Sequence, residues 1–523
     1  MVHQSDVPPL DLLLTGGSVL DGTGADAVVA DVGVRDGRIA HLAPAGPGAA
    51  PAARRTVDAA GLTVAPGFVD LHSHADFTVL ADASAEACLR QGVTTLATGN
   101  CGMSPFPAAA PGAPGQWADL GVFAAAVDEA RPAVNIAPLV GHGALRAAVL
   151  GQERRAATRA ELGRMRGLLA SAAEQGAFGL STGLIYAPGS FAGTDEVVAL
   201  AREAAGRGLL YATHMRDEGD RVIEALDETL AVGRASGARV QVSHLKAMGP
   251  ANHGKVRPAL ERIAAAAAGG VDVACDVYPY TASSTRLTSR LPDWAMDGGA
   301  PALLERLADP VVRRKVLSEV REAVGRTFLP EGVVIAQVLP GPYAGRVGDS
   351  VADIARDEGV EPAEAVLRVL AAHQGEAMIV NHAMADADVD AVLRHPDTAV
   401  ASDGWVLSAP GDGHPHPRNF GTFARVLGHY TRERRVLGLA DAVRRMTSLP
   451  ASRLGLTDRS TVAVGAVADL VVFDPDAVAD RATYAEPWQY ATGVRDVFVA
   501  GEQVLAGGAA TGARPGRALA RPA

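Results

Sequence analysis

His72 and His74 stand two residues apart in GFVDLHSHADF, at the end of an apolar run. A strand repeats every two residues, so both imidazoles share one face. Two same-face histidines at the end of a buried strand suit a divalent cation such as zinc, which takes neutral nitrogen ligands converging from one side. The same pair could simply cap a strand with satisfied polar groups, so the rest of the chain has to decide. Cys101 in TGNCGMSP, His214 in YATHMRDEG, His244 in VSHLKAMG and Asp403 in ASDG each close a further apolar run. Taken singly they read as a small buried thiol, two polar caps and a helix N-cap. Converging on one mouth, they are what metal-assisted hydrolysis needs: sulfur and nitrogen donors for an ion, and a carboxylate to move a proton.

The elements that would position these groups are legible as alternation. GFVDLHSH, VTTLATGNC, VNIAPLVGHG, FGLSTGLIY, LLYATHMR, ARVQVSHLK, VDVACDVYPY and TAVASDG are separated by Ala/Arg/Glu-rich stretches such as ARAELGRMRGLLASAAEQG and TDEVVALAREAAGRG. Eight strands with intervening helices predict an α/β chain, a (β/α)8 TIM-like barrel over residues 64–453 whose C-terminal mouth gathers the polar residues. Residues 1–63 and 454–523 are instead short β-like runs broken by Gly and Asp. They predict a small β-sandwich domain built from both chain termini. The strand spacing fails after Tyr280, which predicts an insertion after strand 7, at about 286–350, followed by helices and the apolar run AMIVNHAM. The closing ARPGRALARPA is expected to be poorly ordered.

Composition narrows the partners. The chain has 523 residues, 48% hydrophobic, and a net charge of −11. No Lys/Arg tract interleaves with aromatics, so nucleic acid and anionic membranes are not expected partners and small soluble substrates are. Cys88, Cys101 and Cys275 are an odd set in a long chain, as in a reduced, cytoplasmic protein. The opening MVHQSDVPPL has neither a basic nor an apolar targeting segment, and no apolar run reaches a membrane span. Oligomeric state is not legible.

GNCGMSP, GLSTGLIYAPG, THMRDEGD, SHLK, DVYPYTASST and HPHPRNFGTFARVLGHY, with the HxH and the aspartate, resemble the amidohydrolase superfamily and, within it, the N-acyl-D-amino-acid deacylases or D-aminoacylases. The resemblance spans about residues 11–510. It implies a zinc-dependent hydrolase that cleaves the linear amide of N-acyl-D-amino acids into a carboxylate and a free D-amino acid. Many two-metal relatives bridge their ions with a carboxylated lysine from strand 4. Here the first of three lysines is Lys246, so no lysine is available at or before strand 5. A thiolate is a strong zinc ligand, and Cys101 is the obvious anionic substitute. The resemblance implies one tight zinc on Cys101, His214 and His244, with His72 and His74 lining a weaker or empty second site.

Zinc polarises a carbonyl and brings water near neutral acidity, so Asp403 is expected to accept the water proton and deliver it to the departing amine. Arg418 in HPHPR is expected to grip the substrate carboxylate through paired hydrogen bonds. Lys246 shares a face with His244, and Tyr186, Tyr278 and Ser284 match positions that contact substrate in the family resembled. GPANHGKV lacks the Ser/Thr of a phosphate loop. His142, Arg146 and His382 are expected to support rather than ligate, and the prolines flanking His414 and His416 argue for a loop. Arg286 and Arg290 are read as solvated residues of the insertion, although either could meet an acidic side chain. The alternatives are a cyclic amidohydrolase of the hydantoinase/dihydropyrimidinase type, disfavoured by the missing lysine, and a catalytically silent amidohydrolase-fold binding protein, disfavoured by the intact constellation.

Overall fold

A computed structural model describes residues 8–46, 51–110 and 115–522. The amino-terminal stretch inspected for targeting lies, through residue 7, outside them. Among the described residues, no helix is long and apolar enough to cross a membrane.

The eight expected strands form one parallel sheet in chain order: Phe68–Asp70, Val93–Thr98, Asn135–Gly141, Gly179–Gly183, Leu210–His214, Arg239–Val242, Val273–Val277 and Thr398–Val400. Nearly every strand residue is buried, as a sheet with both faces covered requires. The barrel closes between its first and last strands just beyond their ends, through a parallel bridge of Ser73 with Gly404. Asp403 N donates to His72 O and His74 N to Gly404 O, each at 2.7 Å. The closure seam therefore runs through three of the residues singled out for chemistry. Asp70 reinforces it from below, accepting from Ser402 N at 3.0 Å and His72 N at 3.2 Å. Burial raises its carboxyl to about 6 despite those bonds.

The helices take the outer layer. Arg159–Glu174 opens on a capping box of Thr158 and Glu161 and turns Met165, Leu169 and Ala172 to the core. Strands from both termini meet in a nine-stranded sheet in which Thr63–Pro66 pairs with Leu470–Phe473. Alternation along that last strand sorts its two faces: Leu470 and Val472 enter the core of the terminal unit, while Val471 and Phe473 enter the barrel core. The terminal sheet is thereby cemented to the barrel.

Two expectations are corrected. The insertion is larger than 286–350: a three-stranded antiparallel sheet of Ala282–Arg286, Ala377–His382 and Val333–Val338 is included. It carries its own core, in which Leu287, Phe328, Ile335, Val366 and Ile379 are buried. The run AMIVNHAM is its central strand, and long-range pairing made the unit invisible to local spacing. The tail is also ordered through residue 522. Ile136 N donates to Arg517 O at 2.9 Å and Leu519 N to Ile136 O at 2.7 Å, and Leu519 is buried. Backbone pairing against the third barrel strand supplies the order that composition did not suggest.

Candidate metal centre and active site

Cys101, His244 and Asp403 all adopt left-handed backbone conformations, with φ of +53°, +34° and +51°. Such a conformation costs a non-glycine residue about 1–3 kcal/mol and persists only when the surroundings over-determine it. Around Cys101 those surroundings include two glycines. A Cβ on Gly183 would stand 2.0 Å from Cys101 O, and one on Gly102 2.6 Å from Gly183 N. Ser181 Oγ accepts from Gly102 N at 3.0 Å and also donates to Gly99 O, clasping the loop that carries the thiol.

The thiol sits among three imidazoles: Cys101 Sγ lies 3.2 Å from His72 Nε2, 3.5 Å from His244 Nε2 and 3.7 Å from His214 Nδ1. Tetrahedral zinc holds a sulfur and a nitrogen ligand about 3.5 Å apart, and the three distances fall within about 0.3 Å of that value. Burial alone would raise the thiol's pKa, but His72 and His244 outweigh it and hold Cys101 well below the ordinary thiol range. Burial disfavours a charged His72 as well, yet the Cys101 thiolate and Asp403 drive it well above its usual value. A thiolate surrounded by retained protons is the charge pattern a divalent cation replaces, releasing those protons.

His72, assigned with His74 to the weaker site, lies nearer the thiol than His214 does, and with Cys101, His244 and Asp403 it forms a buried set of compatible ligand atoms. His74 instead points Nε2 at Asp403 Oδ1, 3.0 Å away. Burial opposes its charge, but that bond with its neighbours raises it to about 9. Asp403 also faces His72 Nε2 at 3.4 Å and, through Oδ2, Arg418 at 2.7 Å. Although burial favours its neutral form, Arg418, His72 and His74 together hold the carboxyl well below its usual range.

Arg418 is buried, its Nη2 reaches Ser284 O at 3.3 Å, and its guanidinium carbon stands 4.9 Å from the Tyr278 ring centre. With Tyr186 and Ser284 it lines a cavity of about 790 Å³ that also exposes Cys101, His74, His244 and Asp403. Lys246 and Tyr278 lie outside that cavity and line a small recess beside it, bordered by His214, Glu218 and Arg290. Lys246 is committed to Glu218, with Nζ 2.6 Å from Oε1. Arg286 is exposed, as expected of a solvated residue. Arg290 departs from that reading: it is half-buried and donates to Thr327 O at 3.2 Å.

Glu218 and Asp276 are the residues that sequence reasoning missed. Glu218 stands 3.1 Å from His244 Nδ1 and 3.4 Å from His214 Nε2, on the sides of those rings facing away from the thiol. Burial favours its protonation, but His214, Lys246 and His244 hold it well below the usual carboxylate range. Asp276 accepts from His244 N at 2.7 Å and lies 3.4 Å from His72 Nδ1. Outer carboxylates of this kind orient metal-binding imidazoles. The set-aside histidines do other work. His142 and Arg146 both bind Glu196, and His416 Nε2 donates to Ala282 O at 2.9 Å while Nδ1 accepts from Arg418 N.

A barrel with this mouth defines a class, and comparison agrees: the amidohydrolase family model matches residues 55–505, and the chain belongs to that family. Two proteins of Alcaligenes xylosoxydans xylosoxydans are each 40% identical to it. The N-acyl-D-glutamate deacylase aligns over 98% of this chain and 97% of its own length, the D-aminoacylase over 100% of both. A crystal structure of N-acyl-D-glutamate deacylase from Bordetella bronchiseptica, complexed with zinc and a phosphonate mimic of the tetrahedral intermediate, matches with a TM-score of 0.84 at 39% identity. That match covers 98% of this chain and 100% of the other.

Proposed function

We propose that this protein is a zinc-dependent hydrolase of the linear amide in N-acyl-D-amino acids, releasing a carboxylate and a free D-amino acid. The observation that carries the reading is the buried Cys101 thiol with three histidine nitrogens 3.2–3.7 Å away and Asp403 beside them. Cys101, His72, His214 and His244 would hold the ion, with Glu218 and Asp276 orienting the rings. When bound, zinc supplies a Lewis acid for the acyl carbonyl and makes water acidic enough to attack near neutral pH. Asp403, presented at the mouth by its strained backbone, accepts the proton of the attacking water. The C–N bond then breaks as Asp403 returns that proton to the leaving nitrogen. Arg418, against Asp403 and within the cavity, is placed to pair with the substrate carboxylate while the amide lies over the thiol. Tyr186 and Ser284 border the same wall. The D preference rests on the relatives.

The test is release of free amine by zinc-loaded protein from matched N-acetyl-D- and N-acetyl-L-amino acids, covering leucine, methionine, glutamate and aspartate. Turnover confined to the D series is the expected result. Turnover of neither enantiomer overturns the reading, and turnover confined to the L series overturns its stereochemical part.

A further inference from the structure

We infer that the cavity contains an extended apolar subsite for the acyl group, so that the preferred substrates carry medium-length aliphatic acyl chains rather than acetyl; this rests on the deacylase reading above. The substrate's carboxylate and side chain share one carbon, so a carboxylate on Arg418 keeps both near Arg418, Ser284 and the inserted unit. The acyl carbons leave the scissile carbonyl in the opposite direction, across Asp403 and His74. On the His74 side stand two aromatic rings. The Trp405 ring packs against His74 with centres 5.5 Å apart, and Phe77 packs on Trp405 at 6.1 Å. Met103, Pro107 and Ala144 face the same cavity.

Two features mark this as a built surface. Phe77 is 42% exposed, one of few large apolar side chains among the described residues left open to that degree. Trp405 is held firmly beneath it: its backbone N–H donates to Asn419 Oδ1 at 2.8 Å, and the next residue's N–H to Thr78 Oγ1 at 3.0 Å. Size points the same way. The cavity of about 790 Å³ lies in the range that encloses drug-sized ligands, whereas an N-acetyl-amino acid has about a dozen non-hydrogen atoms. An acetyl methyl group would leave Phe77 in water. A longer chain would cover it, and two additional buried methylenes already contribute about tenfold in affinity.

The experiment compares kcat/KM of the zinc-loaded enzyme for N-acetyl and N-octanoyl derivatives of the same D-amino acid, in the native protein and in Phe77→Asp. The octanoyl substrate should be favoured about tenfold or more, chiefly through KM, with the octanoyl-to-acetyl ratio falling about tenfold in Phe77→Asp. Turnover of acetyl at least as efficient as octanoyl overturns the inference and leaves the deacylase reading standing. A high ratio that Phe77→Asp does not change overturns the placement of the subsite. Turnover of neither substrate removes both.

Discussion

Asp403 and Glu218 are both buried carboxylates within 3.5 Å of histidines, yet they separate by what they face. Asp403 opens into the cavity, so Asp403→Asn should lower kcat/KM by ~10²–10⁴-fold while bound zinc, measured by elemental analysis, stays near wild type. Glu218 lies behind the imidazoles and meets them on the sides facing away from the thiol. Glu218→Gln keeps its shape, removes its charge and leaves Lys246 without an anionic partner. Zinc affinity, titrated against a chromophoric chelator, should drop by ~10–100-fold, with activity largely recovered at saturating zinc. Full zinc affinity in that variant would remove Glu218 from the orienting role.

At the scale of elements, the site depends on strand ends bent into left-handed backbone and on close contact between neighbouring loops. Gly183→Ala should force Cys101 from its position, because the new methyl group meets a carbonyl rather than a mobile side chain. The expected cost is about 1–3 kcal/mol in stability and a loss of zinc affinity of about tenfold or more, read by thermal melting and metal titration of the same sample. Equal affinity with a lowered melting temperature would show that the contact serves folding alone. Helix His142–Leu150, which follows the third strand, is pinned to helix Thr194–Gly206 by Glu196, whose carboxylate takes His142 Nε2 at 2.8 Å and Arg146 Nη1 at 2.6 Å. Burial would raise Glu196, but His142 and Arg146 outweigh it and hold it below its usual value. A depressed carboxyl contributes stability that is present above the unfolded pKa of about 4.3 and lost as pH falls through the folded value. Glu196→Gln should therefore melt well below wild type at pH 7, by the equivalent of about 3 kcal/mol, and the gap should narrow progressively below about pH 4.3. A gap that widens in acid would contradict the sign.

For the whole molecule, the residues proposed to hold zinc come from the first, second, fifth and sixth strand ends and the proposed proton carrier from the eighth, so an ion there would join segments distant in sequence. Folding brings these groups together and unfolding disperses them, so zinc should stabilise the native state by mass action. Raising free zinc to about 100 times its dissociation constant should add about 2.7 kcal/mol to stability. Chelation should abolish activity and lower the melting temperature, with both restored by readdition. Loss of activity without any shift in melting would show that the ion contributes nothing to the barrel. The terminal sheet and the docked tail, which pairs with Ile136 at the start of the third strand, spread the same closure to the barrel's opposite end.

Local pattern determined the barrel and its six strand-end groups. Apolar runs, several of them ending in His, Cys or Asp, are properties of a few adjacent residues, and eight such runs in alternation with helices leave few architectures open. The lysine count likewise excluded a bridging lysine at or before strand 5 by composition alone. Tertiary structure decided what depends on partners far away in the chain. Glu218 lies among Asp217 and Asp220 in THMRDEGD, where nothing local marks it out, and it acquires a role only because strands five and six bring His214 and His244 to it. The pairing of Arg418 with Asp403, the grouping of His72 with Cys101, the full extent of the inserted sheet and the docking of the tail are long-range contacts of the same kind. Periodicity reports which face of an element is buried, and only the closed barrel determines what that face meets.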